Sequence, residues 1–368
     1  MRKSVALVLV VLVVLAAISA LLAGSIGASR SAQNQKHSWQ KIAVSTSAGF
    51  RGLSAVNANV VWASGTDGTV IRTVEGGTTW SIRTVAGAEK LDFRGIRAFD
   101  ATTAVIMSSG NAEDGQARIY RTADGGETWK LVYEQKTRGI FFDAIAFWDR
   151  EHGIVVSDPV EGRFALFTTA DGGEIWTEIP PASLPAALPN EGAFAASNSC
   201  LAVEGQRNVW FVTGGASVAR VFRSNDRGKS WHVAEAPMHP PNASSGLFSI
   251  AFRDAMNGIA AGGDYAHPAA GPGPAIFLTT DGGATWRPGA PTDPEGMFLS
   301  SVTYKPRAPG ANSSAVEISA AGTGGIVSMV DGAHWVRESE QNINAVAFPT
   351  RDLGWAVGPK GAVLRRAE

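Results

Sequence analysis

The 368 residues carry 32 Lys and Arg against 33 Asp and Glu, a net charge of -1, so no long-range field draws the chain toward nucleic acid. Its aromatic residues are not interleaved with any Lys/Arg-rich run, which removes the basic surface that a nucleic-acid partner requires. A single cysteine, Cys200, excludes an intramolecular disulfide, while 42 Gly and 11 Trp at only 18% charged residues fit a turn-rich all-β chain.

At the start, Met1, Arg2 and Lys3 precede an uninterrupted apolar and small stretch from Ser4 to Ala23. Residues 1–30 are expected to be a signal peptide or an uncleaved N-terminal membrane anchor, so the chain is expected in the periplasm or outside the cell. The run LLAGS resembles a lipoprotein processing site with Ser25 where the modified cysteine would stand, which excludes lipid attachment there. Next comes HSWQKIAV, His37 to Val44, which reads as a strand without a preceding turn.

From there an eight-residue phrase recurs: TVEGGTTW (Thr73 to Trp80), TADGGETW (Thr122 to Trp129), TADGGEIW (Thr169 to Trp176), SNDRGKSW (Ser224 to Trp231), TTDGGATW (Thr279 to Trp286) and SMVDGAHW (Ser328 to Trp335). The tryptophans recur every 47 to 55 residues or so, a period at which repeats are blades or solenoid coils. Glycines supply the positive φ of a tight turn, the Asp accepts N–H groups from that turn, and the Ser or Thr adds a side-chain bond to the backbone. The Trp offers a large apolar body to neighbouring sheets. A structural role is therefore expected for Asp124, Trp129, Asp171, Trp176, Asp226, Trp231, Asp281 and Trp286. Glu75 replaces the Asp in the first copy and Val330 in the sixth.

Around each phrase lie short β-branched and aromatic runs, such as FRGLSAV, VVWASG and TVIRT before the first and FRGIRAF, AVIMSSG and ARIYRT before the second. Later units begin with DAIAF (Asp143 to Phe147), LFSIAF (Leu247 to Phe252), SSVTY (Ser300 to Tyr304) and NAVAF (Asn344 to Phe348). Such runs, separated by Gly, Asn, Asp and Pro, predict four-stranded antiparallel sheets arranged as a seven-bladed β-propeller over residues 37–366. The seventh unit supplies three strands, and the strand at His37 to Val44 is expected to complete it.

The phrase resembles the Asp-box, or bacterial neuraminidase repeat, and the whole pattern resembles the photosystem II stability/assembly factor family in a non-photosynthetic bacterial relative. That resemblance implies a non-catalytic assembly factor, a protein partner and an arginine patch beside the channel, for which Arg51, Arg94 and Arg97 are the candidates in this sequence. Asp-box propellers also include sialidases and other glycoside hydrolases, so a glycan-acting or glycan-binding role is the alternative. The early Arg-Ile-Pro of sialidases is absent.

Because first strands line the channel of a propeller, polar residues on them or on the loops entering and leaving them are the candidates for chemistry: Asp143, Asp158, Glu191, Asp264 and Tyr265. Six scattered histidines and DGG turns without alternating oxygen ligands predict no metal, and GPGPA and GTGG outside any βαβ unit predict no nucleotide cofactor. Cys200, in the apolar run CLAV, reads as a buried structural thiol. Proline-rich insertions at Pro180 to Asn190, Met238 to Ser245 and His267 to Pro274 are expected to decorate one sector of the rim, and the protein is expected to be a monomer.

Overall fold

A computed structural model describes residues 38–268, 276–290, 297–307, 316–329 and 334–367. The expected export segment and most of the His267 to Pro274 insertion lie outside these residues, as does the turn of the sixth phrase. The described strands form seven four-stranded antiparallel sheets. The first blade comprises Phe50–Ala55, Val61–Gly65, Thr69–Thr73 and Ser81–Thr84, and its order along the chain is its order in space. Five further blades repeat that meander, beginning at Asp92–Ala98, Phe142–Phe147, Leu201–Glu204, Ser245–Phe252 and Leu299–Tyr304.

The seventh blade is composite. Ala345–Ala347, Gly354–Val357 and Val363–Arg366 are completed by Trp39–Ile42 from the other end of the sequence, with Trp39 opposite Arg366 and Ile42 opposite Val363. This is the closure expected from the sequence, and it leaves no unpaired strand edge at the seam. Trp39 anchors the strand: its indole N–H donates to Glu338 Oε2 at 2.8 Å and its ring stands edge-on to Phe348 at 5.8 Å. Buried Lys305 and Arg366 share Glu338.

Core side chains lie between blades. Trp62 and Val70 of blade one pack with Phe93, Ile96, Ile106 and Tyr120 of blade two, and Phe50 and Ile71 pack with Trp355 and Val363 of blade seven. Burying each such large apolar side chain contributes roughly 1.5–3 kcal/mol, so the ring is stabilised across every interface rather than within any one sheet.

The recurring phrase fastens the turn as its chemistry predicts. Asp124 accepts from Thr122 Oγ1 at 2.8 Å and from Thr128 N at 3.0 Å, and Thr122 Oγ1 accepts from Gly126 N at 3.0 Å. Asp171, Asp226 and Asp281 repeat the arrangement. In the first copy Thr73 still accepts from Gly77 N, at 2.9 Å, and Glu75 accepts from Thr79 Oγ1 at 2.8 Å. The second glycine has a further task, unread in the sequence. At Gly77 (φ +87°) a Cβ would stand 2.4 Å from Cη2 of Trp355, and at Gly126 (φ +84°) 3.2 Å from Cζ3 of Trp62. Each described turn thus seats its bare backbone against the preceding blade, where any side chain would prise the blades apart.

These turns also bond to the loop after the first strand of their own blade, as Gly76 N does to Asn59 O and Gly125 N to Thr102 O. They therefore lie at the end of the propeller where first strands finish, opposite the end where those strands begin.

Candidate functional site

Five of the first strands contain a β-bulge in the same place. Register slips between Phe50 and Gly52, Phe93 and Gly95, Phe142 and Ala144, Leu247 and Ser249, and Leu299 and Ser301. The extra residue in each is Arg51, Arg94, Asp143, Phe248 and Ser300. A bulge breaks the in-out alternation of a strand and re-aims one side chain. Here the re-aimed Arg51, Arg94, Asp143 and Phe248 line a single cavity of about 570 Å³ at the mouth of the channel, while Ser300 Oγ donates to Asn344 O at 2.8 Å.

A second bulge adds to this set. On the second strand of blade three, Gly153–Val160, register slips between Ser157 and Pro159, so Asp158 is extra and lies beside Asp143 across the Phe142–Ser157 pair. Asp158 and Tyr265 also line the cavity. Sequence position alone could not show that Asp143 and Asp158, fifteen residues apart, share one floor.

The wall opposite is a segment that the repeat pattern does not anticipate. The first strand of blade four begins only at Leu201, and residues 192–199 run irregularly across the channel. Ala193 N donates to Asp158 Oδ1 at 3.0 Å, Arg94 donates to Ala195 O at 3.3 Å and to Asp92 at 2.7 Å, and Arg51 donates to Ala196 O at 3.1 Å. Asn198 bonds to Ile145 of blade three, and Ser199 to Ser249 of blade five. The segment thus closes the channel and gives the cavity its base. Phe194, within it, stacks on Phe248 at 4.0 Å, and Tyr265, 54% exposed, meets both rings edge-on, with Phe298 against Phe248 at 4.7 Å.

Electrostatics at this floor are unusual for a structural cluster. Burial raises the Asp143 carboxyl well above the usual carboxylate range, the Asp158 charge adds to the rise, and Arg94 opposes it. Burial also pushes Asp158 up to about 6 against the Ala193 N–H. Asp143 is 1% exposed, and its Oδ2 has no hydrogen-bond partner among the described residues. Burial and the neighbouring Arg94 lower Arg51, with Asp92 opposing. Cys200 is fully buried, and burial together with Asp143 pushes its thiol up, which fits the expected inert thiol.

Three of the candidates fall outside the cavity. Glu191 is buried and bonded to Arg220, to Thr213 Oγ1 at 2.6 Å and to Leu188 N at 2.8 Å, so its oxygens are engaged within the fold. Asp264 accepts from Ser244 Oγ at 2.6 Å, Asn242 Nδ2 at 2.9 Å and His267 N at 3.1 Å. Burial alone would raise its carboxyl, yet these bonds hold it well below the usual range, as suits a loop clamp. Arg97 lies near the far end of its strand, its guanidinium 5.9 Å from the Phe99 ring, beside Asp149 and Arg150. It is therefore separate from the arginine pair. A larger cavity, about 760 Å³, lies on the side bearing the turns between blades three and four, around Trp148, Ile175 and Arg227. Its lining includes Asp171 and Glu178 but neither Asp143 nor Asp158. No group of three His, Cys, Asp or Glu placed to hold a metal occurs among the described residues.

No protein-family model matches the chain, and no curated protein matches it in sequence. Solved structures do resemble it. YCF48 bound to a D1 peptide superposes with a TM-score of 0.60 at 17% identity, over 90% of this chain and 96% of that one. YCF48 from Cyanidioschyzon merolae gives 0.64 at 17% identity, over 90% and 99%. The likeness is one of fold. A GH74 xyloglucanase from Xanthomonas campestris gives 0.58 at 15% identity, over 89% of this chain and 53% of its own.

Proposed function

We propose that this chain is an exported, non-catalytic propeller that grips a segment of a protein partner at the channel mouth and serves as an assembly or stability factor. The observation that carries this reading is the arginine pair: two successive blades use the same bulge to set Arg51 and Arg94 side by side in one open cavity. Burial, and after it the neighbouring Arg94, lowers Arg51, and a carboxylate-bearing segment laid across the two guanidiniums offsets both the lost solvation and the mutual repulsion. YCF48, of similar fold, has been seen with a D1 peptide bound. The test is a peptide array probed with the purified protein, followed by titration of captured acidic peptides at low and high salt. Salt-sensitive capture that is lost in Arg51→Glu and Arg94→Glu supports the reading; capture indifferent to both removes it.

The Asp143–Asp158 pair favours a second reading, a glycoside hydrolase. Two carboxyls with raised proton affinity can supply a general acid beside a base, and the xyloglucanase shows that the fold occurs in enzymes acting on glycans. Turnover of β-glucan or sialoside substrates, abolished by Asp143→Asn or Asp158→Asn, would establish it and displace the first.

A further inference from the structure

The arginine pair accounts for one half of the cavity and leaves the other unexplained. On that other half, the carboxyl of Asp143 is buried with an oxygen lacking any partner, Asp158 stands in front of it within the cavity, and one residue beyond the amide held by Asp158 begins a cluster of aromatic rings. A fold gains nothing from leaving a buried carboxyl oxygen unpaired. A carboxylate floor beside aromatic faces is the chemistry that holds an ammonium group: the charge pairs with the carboxylate and the ring faces attract the cation.

We propose that this half of the cavity is a subsite for a primary ammonium group of the bound polypeptide, a lysine side chain or a chain N-terminus, seated on Asp158 with Asp143 behind it and Phe194, Phe248 and Tyr265 around it. The inference rests on the reading of the cavity as a polypeptide-binding site and adds that the segment must present a cation a short distance from the acidic group held by Arg51 and Arg94. The arriving ammonium takes the place of a proton that the carboxyl pair otherwise holds, and that proton leaves to solvent. Groups facing the pair are Arg94 and Arg51 from blades two and one, Asp92 paired with Arg94, the Cys200 thiol behind, and the phenol of Tyr265. Burial and Asp143 push the Cys200 thiol up, away from the acid range, so the carboxyl pair, with Asp158 facing the cavity, carries the response there.

Three small probes titrated against the full chain by NMR or calorimetry decide the matter: Nα-acetyl-lysinamide, phenylalaninamide and, as the neutral control, N-acetyl-phenylalaninamide. The ammonium probes should bind at least tenfold more tightly than the control, and their affinity should rise about tenfold from pH 5 to pH 7 as Asp158 ionises. A preference for the first probe assigns the site to a lysine side chain, and for the second to a chain N-terminus. Asp158→Asn should remove both the preference and the pH dependence. Asp143→Asn is informative if its melting matches the parent, and Asp158→Asn suffices if it does not. Equal binding of the neutral control, a flat pH response, or unaltered binding in Asp158→Asn would overturn the subsite. Ammonium binding without capture of any acidic peptide would keep the subsite and refute the scaffold reading, whereas capture through Arg51 and Arg94 without discrimination among the probes would refute the subsite alone.

Discussion

Asp171 accepts bonds from Thr169 Oγ1, Glu174 N and Ile175 N at 2.8, 3.0 and 3.0 Å. Asp171→Ala strands those donors and should cost about 1–3 kcal/mol, read from denaturant unfolding, while ligand capture at the distant channel mouth stays unchanged. The two classes of carboxylate also respond to pH with opposite sign. Hydrogen bonds from Thr128 and Thr122 lower Asp124 to about 2, so its contribution is present above the unfolded carboxyl value near 4 and is lost as pH falls toward 2. Burial raises Asp158 to about 6, so its contribution is present below about 4 and is lost as pH rises through 6. The parent should therefore lose stability relative to Asp158→Asn between pH 4 and pH 7, and thermal melting of the two across that window checks it. A constant difference would show that Asp158 titrates as an ordinary surface acid.

At the scale of elements, the turn phrases and their strands were legible in the sequence because each is a local arrangement: Thr, Asp and Gly within five residues satisfy one another. Closure by Trp39–Ile42 was legible from a missing strand at one end and a spare one at the other. Deleting residues 38–44 should expose the edge of Val363–Arg366 and remove the Trp39 bond to Glu338, giving aggregation or a large drop in melting temperature. A truncated protein melting within a degree or two of the parent would contradict the shared blade. The bulges were only partly legible. FRG in units one and two marked Arg51 and Arg94, but the extra residue of a bulge is set by cross-strand register, which adjacent residues do not encode. The channel-closing segment 192–199 left a weaker signal: GAFAASNS lacks the alternation of a strand at the place where a first strand is due. Charge near a strand end misdirected the reading at Glu191 and Asp264, because burial of Arg220 and the closing of a loop require acids as much as a ligand does.

Across the whole molecule, one face fastens and the other carries the cavity proposed to recognise a partner. The turn phrases gather where first strands finish and fix each blade to its neighbour, while the bulges gather where first strands begin and leave Arg51, Arg94, Asp143 and Phe248 free of that duty. Arg97, near the fastened end, is the internal control for a charge that belongs to the same strand but not to the cavity. The most direct test of the account is calorimetric titration of a captured acidic peptide against the parent, the Arg51→Glu/Arg94→Glu double variant and Arg97→Glu, at low and high salt, with all three melting alike. Loss of at least tenfold in affinity in the double variant, with salt dependence largely removed and Arg97→Glu near the parent, is the predicted result. Parent-like affinity in the double variant with the loss in Arg97→Glu would place recognition on the opposite face and contradict the account.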